Sequence, residues 1–163
     1  MKCLLSVVII LSGTFTLYAQ TESLNKNIIY GEFSAFGVYN EGTITLNYER
    51  IIIQKGLFNF YGRAGAGRWG GTWTASGKIE NGWKFNLGGG TFLGRKSHHL
   101  DAQFGADIYE YNKYSGFDVD GHGAAFHPYG LLGYRYQKPG QAFMFRLAAA
   151  TYGYACIMLG VSF

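Results

Sequence analysis

The feature that most constrains this chain is an alternation of apolar with small or polar residues, held at period two through most of its length beyond residue 20. Ala155, Ile157, Leu159, Val161 and Phe163 fall on one side of an extended strand, and Cys156, Met158, Gly160 and Ser162 on the other. Trp83, Phe85 and Leu87 alternate in the same way with Lys84, Asn86 and Gly88, and Leu100, Ala102, Phe104 and Ile108 with Asp101, Gln103, Gly105 and Asp107. No stretch sustains the 3.6-residue period of a helix. The alternation predicts eight strands, at residues 28–39, 43–53, 57–69, 82–93, 99–111, 124–136, 142–151 and 154–163. Their lengths suit strands that cross a bilayer at a tilt, which needs about 9 to 11 residues.

The connections sort by length. Those after strands two, four and six are compact (54–56, 94–98 and 137–141), and the two longest, 70–81 and 112–123, lie at the opposite end. Short turns on one side and longer loops on the other describe an all-β, eight-stranded antiparallel up-and-down barrel of the bacterial outer membrane, with both termini on the periplasmic side.

A water-soluble eight-stranded barrel would also alternate, and composition separates the two. The chain has 25 Gly, 13 Phe, 13 Tyr and 3 Trp, against 14 Lys or Arg and 10 Asp or Glu. A soluble barrel would turn its Gly-, Ala- and Asn-rich face to water with few charges, and would force many aromatics into an interior only just wide enough for side chains. Facing lipid removes both difficulties. Bulky residues also gather toward strand ends: Phe58, Phe60, Tyr134, Tyr136, Phe143, Phe145 and Phe163 near the short turns, and Tyr39, Trp69, Trp83, Tyr111 and Tyr152 near the loops. Two such girdles are what bilayer interfaces favour.

Residues 1–19 read as a signal peptide, with Lys2 before an apolar run and Leu17-Tyr18-Ala19 as the cleavage site, which leaves residues 20–163 as the barrel. The apolar run is too short to span a bilayer as a helix. Cys3 precedes it and cannot be the acylated first residue of a lipoprotein, so only Cys156 survives processing and no intrachain disulfide can form. The remaining basic residues are scattered, without the stripe that tracks nucleic acid, and no nucleic-acid partner is expected.

Phe163, with apolar residues at every second position before it, resembles the C-terminal strand of Gram-negative outer-membrane proteins, where the terminal aromatic is read by the barrel-assembly machinery. Asn47-Tyr48-Glu49-Arg50, Gly94-Arg95-Lys96-Ser97-His98-His99-Leu100, and Gly133-Tyr134-Arg135-Tyr136-Gln137 followed by Phe143-Met144-Phe145-Arg146, resemble a group of small outer-membrane barrels of the OmpA-transmembrane-domain and OmpX kind. The resemblance implies strands, turns and a location among outer-membrane lipid and lipopolysaccharide. It implies no chemistry.

The polar face places Glu49, Arg63, Lys84, Asp101, Asp107, Arg135 and Arg146 in the lumen, where charges must be paired. Closing the second hairpin over 54–56 sets Glu49 opposite Tyr61 and diagonal to Arg63, and closing the next brings Lys84 near Asp107. Such an ion-pair core plugs the barrel; a narrow gated ion path is the less favoured alternative. Glu32 and Arg50 fall on the apolar face, where a first hairpin over 40–42 pairs them, unless a bulge changes the parity.

Catalytic constellations are weak. Ser97, His98 and His99, and His122 and His127 with Glu110, evoke outer-membrane lipid A deacylases, but no derivable pairing brings a nucleophile and a base into reach. Asp118-Val119-Asp120-Gly121-His122 opens like a calcium loop, yet its twelfth position is Tyr129 where glutamate is needed. No metal or cofactor is expected. The leading function is non-enzymatic, envelope-structural or surface-interacting, through loop aromatics Trp73, Tyr114 and Phe117 and an extracellular ligand of unspecified kind; the alternative is a lipid-modifying enzyme.

Overall fold

The computed structural model describes residues 23–35, 41–73, 78–115 and 118–163. These residues form eight strands: β1 (Asn27–Ala35), β2 (Glu41–Lys55), β3 (Phe58–Trp73), β4 (Lys78–Arg95), β5 (His98–Ser115), β6 (Asp118–Gln137), β7 (Phe143–Ala150) and β8 (Ala155–Ser162). Each pairs antiparallel with its sequence neighbour, and β8 returns to β1, closing the barrel in simple up-and-down order. At the seam Asn27 and Phe163 exchange both backbone hydrogen bonds, at 3.1 and 2.8 Å.

Alternation decides which wall each residue joins. Leu87, Phe104 and Phe126 stand 69%, 71% and 68% exposed on the outer wall, while Glu49, Arg135 and Arg146 are fully buried on the inner one. Aromatics do enter the lumen, as Tyr30, Tyr61 and Phe92. Glycine makes room for them: a Cβ on Gly88 or Gly105 would sit 2.6 or 2.7 Å from the Tyr129 hydroxyl.

The strands are unequal. β2 to β6 run 15, 16, 18, 18 and 20 residues, against 9, 8 and 8 for β1, β7 and β8. Residues 70–73, 78–81, 112–115 and 118–123, expected as loops, are therefore paired strand, extending the β3–β4 and β5–β6 hairpins beyond the barrel wall. The alternation reports which face meets an apolar surround. Backbone pairing carries on past that band, so the sequence pattern stops before the ladder does. Among the described residues, β6 meets β7 only from Leu131 onward, which leaves its first half with β5 on one edge and no strand on the other.

Three further expectations are corrected. The second hairpin closes more tightly than expected, with Lys55 opposite Phe58, and a bulge between Ile51 and Ile53 then leaves Ile52 unpaired; Glu49 therefore lies opposite Arg63, not Tyr61, which faces Ile51. Three consecutive isoleucines cannot alternate, and the bulge lets Ile52 and Ile53 both point outward. In the first hairpin Ser34 pairs with Thr43 and Glu32 with Thr45, while Arg50 faces Asn27. Glu32 thus shares the inner wall with Thr45, and only Arg50 faces out. Trp69, expected in the outer girdle, opposes inward Thr43 and is buried, its Nε1 donating to the Glu110 carbonyl at 3.0 Å. Tyr39 lies outside the described residues.

The chain leading into β1 lies against the short-turn end. Leu24 is buried, its carbonyl accepts from Gln54 Nε2 at 3.0 Å, and Asn25 Nδ2 donates to the Ser162 carbonyl at 3.0 Å. Gln137 Nε2 in turn donates to the Asn25 carbonyl at 3.3 Å.

Candidate functional site: the charged lumen and the open end

The inner wall carries its charges in two groups. Nearer the short turns, Arg135 and Arg146 stand directly opposite each other on β6 and β7. Like charges so placed repel. Two carboxylates from across the lumen compensate them. Glu49 Oε1 lies 2.6 Å from Arg135 Nη1 and its Oε2 2.9 Å from Arg146 Nη2. Asp101 Oδ2 lies 3.6 Å from Arg135 Nη1 and 2.9 Å from Arg146 Nε, the latter an ion-pair contact off the line of a hydrogen bond. Each acid touches both bases, making a closed, neutral square. Tyr61 donates to Asp101 Oδ1 at 2.7 Å, Gln137 accepts from Arg135, and the Arg135 guanidinium lies 4.1 Å from the Phe92 ring centre.

Nearer the loops, Arg63 Nη2 pairs with Glu32 Oε2 at 2.8 Å and donates to Asn47 Oδ1 at 3.2 Å, while its Nη1 donates to Gln103 Oε1. Lys84 Nζ pairs with Asp107 Oδ2 at 2.9 Å and stands 5.3 Å from the Tyr109 ring centre. The seven lumen residues read from the sequence thus sit together with Glu32, which period-two reading had assigned to the wrong wall. With Glu32 included, four carboxylates face four cations. The signal that could have found it is this balance: the seven alone leave one cation without a partner.

The loop candidates fare differently. Trp73 ends β3 opposite Lys78, Tyr114 lies within β5 opposite Val119, and Phe117 falls outside the described residues. The Ser and His residues are dispersed. His98 Nδ1 contacts the Tyr134 hydroxyl at 2.6 Å and His99 Nε2 the Gln137 carbonyl at 3.3 Å, both at the short-turn end. His127 stands at the other end, edge-on between Tyr109 and Tyr152. Among the described residues no three His, Cys, Asp or Glu side chains converge as a metal site would require.

A closed antiparallel barrel with an apolar outside and an ion-paired inside defines the class: a small eight-stranded up-and-down β-barrel. Among solved structures, the chain is similar to Ail, the attachment invasion locus protein of Yersinia pestis, at 13% identity and a TM-score of 0.56, over 88% of this chain and 98% of that one. It is similar also to Ail in complex with the heparin analogue sucrose octasulfate, at 13% identity and a TM-score of 0.53, over 85% and 95% of the two chains. At that identity the likeness is one of fold. No protein-family model matches the chain, and no curated protein sequence matches it.

Proposed function

We propose that this chain is an outer-membrane barrel of a Gram-negative envelope, non-enzymatic, with an envelope-structural and surface-interacting role. The observation that carries the reading is the inversion of the barrel: bulky apolar side chains stand outside, and eight paired charges fill the inside. In water that arrangement exposes a contiguous apolar belt; in a bilayer the same belt is the stabilising surface. Residues 1–19 serve as the export signal and Phe163 as the assembly signal, its ring 61% exposed at the short-turn end. The side-chain-filled lumen is closed to solutes.

Surface interaction falls to the β3–β4 and β5–β6 hairpins that extend beyond the barrel wall, with Trp73 and Tyr114 near their far ends and Phe117 as the third candidate from the sequence. Among the described residues the outer part of β6, before Pro128, has no strand on its second edge and offers that edge to an added strand. The Ail structure with sucrose octasulfate raises a sulfated sugar as a ligand class. Here the loop end carries Glu41, Glu80, Glu110, Asp118 and Asp120 against Arg68, Lys78 and Lys113, an excess of acid that disfavours a polyanion. An extended polypeptide segment fits better.

Cell fractionation with heat-modifiable gel migration tests the barrel. The protein is expected in the outer-membrane fraction, migrating faster unheated than boiled; recovery as a water-soluble periplasmic protein overturns the reading. Lipid A from cells with and without the protein is expected to be identical by mass spectrometry, and an altered acyl pattern would establish the enzyme instead.

A further inference from the structure

The charged side chains of the described residues are distributed very unevenly along the barrel axis. The lumen is balanced, and the loop end mixes both signs. The short-turn end does not. Each of its three turns carries a lysine (Lys55, Lys96 and Lys138), Lys26 lies in the chain leading into β1, and Arg50 stands beside them; all five are exposed. Among the described residues no acidic side chain lies at this end. A surface built only for solubility intersperses both signs, so a collar of one sign calls for an anionic counterpart.

Arg50 indicates where that counterpart lies. It projects from the outer wall of β2, between exposed Tyr48 at 42% and exposed Ile52 at 69%, a position where a cation is costly unless its head reaches a polar interface. Its cross-strand neighbours leave it room: Gly62 on β3 has no side chain, and Asn27 on β1 is engaged with the Tyr48 hydroxyl at 2.8 Å. Phe58, Phe60, Phe143 and Phe163, all exposed on the outer wall beside the turns, mark the depth at which a membrane interface would run. The turn lysines therefore stand just beyond an apolar belt, at headgroup level, and Arg50, within the rim of that belt, reaches the same level along its extended side chain.

We propose that this collar binds the headgroups of anionic phospholipids, phosphatidylglycerol in particular, in the leaflet that meets the short-turn end. The proposal rests on the outer-membrane reading above. Lysines in the turns supply point charges toward the phosphates, and Arg50 supplies a fork able to take two phosphate oxygens at once. Because the partner is a charged surface, binding weakens with salt.

The test uses the full processed chain reconstituted in mixed bilayers, with spin-labelled phosphatidylglycerol or phosphatidylcholine reporting lipid held at the protein surface. The unaltered chain is expected to prefer phosphatidylglycerol, and the preference is expected to be lost in K55Q/K96Q/K138Q and at high salt, but kept in K78Q/K113Q. Equal preference in the turn variant and the unaltered chain, or no preference in the unaltered chain, overturns the collar. Heat-modifiable migration of each variant verifies folding. A chain that holds no immobilised lipid of either kind overturns the membrane reading instead.

Discussion

Glu49 bridges Arg135 and Arg146, with one carboxylate oxygen 2.6 Å from the first guanidinium and the other 2.9 Å from the second. All three are fully buried. Removing one member of a buried charge group leaves the others uncompensated, which costs about 3–5 kcal/mol. Glu49→Gln is therefore expected to lower the stability of the refolded barrel by that amount, read as a shift in its urea unfolding midpoint at unchanged slope. An unshifted midpoint would show that Asp101 alone neutralises both arginines.

Glycines on the two walls are expected to differ in sign. A Cβ on Gly133 would lie 2.5 Å from Ala148 Cβ and 2.4 Å from the Leu147 carbonyl, whereas a Cβ on Gly31 meets nothing within 4 Å. Gly133→Val is expected to destabilise by about 1–3 kcal/mol through overpacking. Gly31→Ala is expected to be neutral or to stabilise by about 0.4–1 kcal/mol, because it restricts the unfolded chain. Paired unfolding curves check both, and equal effects would contradict the assignment of walls.

Leu87 lies on the outer wall, 69% exposed, in the middle of β4. Leu87→Arg is expected to destabilise the barrel by about 2–4 kcal/mol in phospholipid bilayers. In a water-soluble barrel the same exposed substitution would change stability by less than about 0.5 kcal/mol. Folding titrations in vesicles decide between the two.

The proposed closure of the lumen makes a prediction for conductance. If the charge square and the Arg63 and Lys84 pairs together close the cross-section, the protein gives no step-like currents in planar bilayers. Resolved current steps from the unaltered chain would restore the gated ion path.

The sequence pattern carried the fold further than the site. Period-two alternation made the eight strands and their walls legible because an apolar outer wall and a polar lumen impose opposite preferences on successive residues. It failed where that contrast is weak. Ile28 and Tyr30 are bulky inward residues, so β1 read with the wrong face and took Glu32 with it. The turn after Lys55 closed more tightly than the pattern showed and Ile51 to Ile53 hid a bulge, which together moved Glu49 two positions along its partner strand. Partners across the lumen, such as Glu49 with Arg146, come from strands 97 residues apart in sequence, and no local pattern encodes them. At the loop end the strands outlast the apolar band, so residues that read as loop are ladder.

The juxtaposition of Arg135 and Arg146 also bears on the order in which the molecule is made. An isolated β6–β7 hairpin would hold two facing cations with nothing to screen them, and so resists forming alone. Its counter-charges arrive on β2 and β5. The β6–β7 hairpin is therefore stable only once β2 and β5 have closed around it. This couples that local pairing to closure of the whole cylinder and disfavours half-built sheets with open edges.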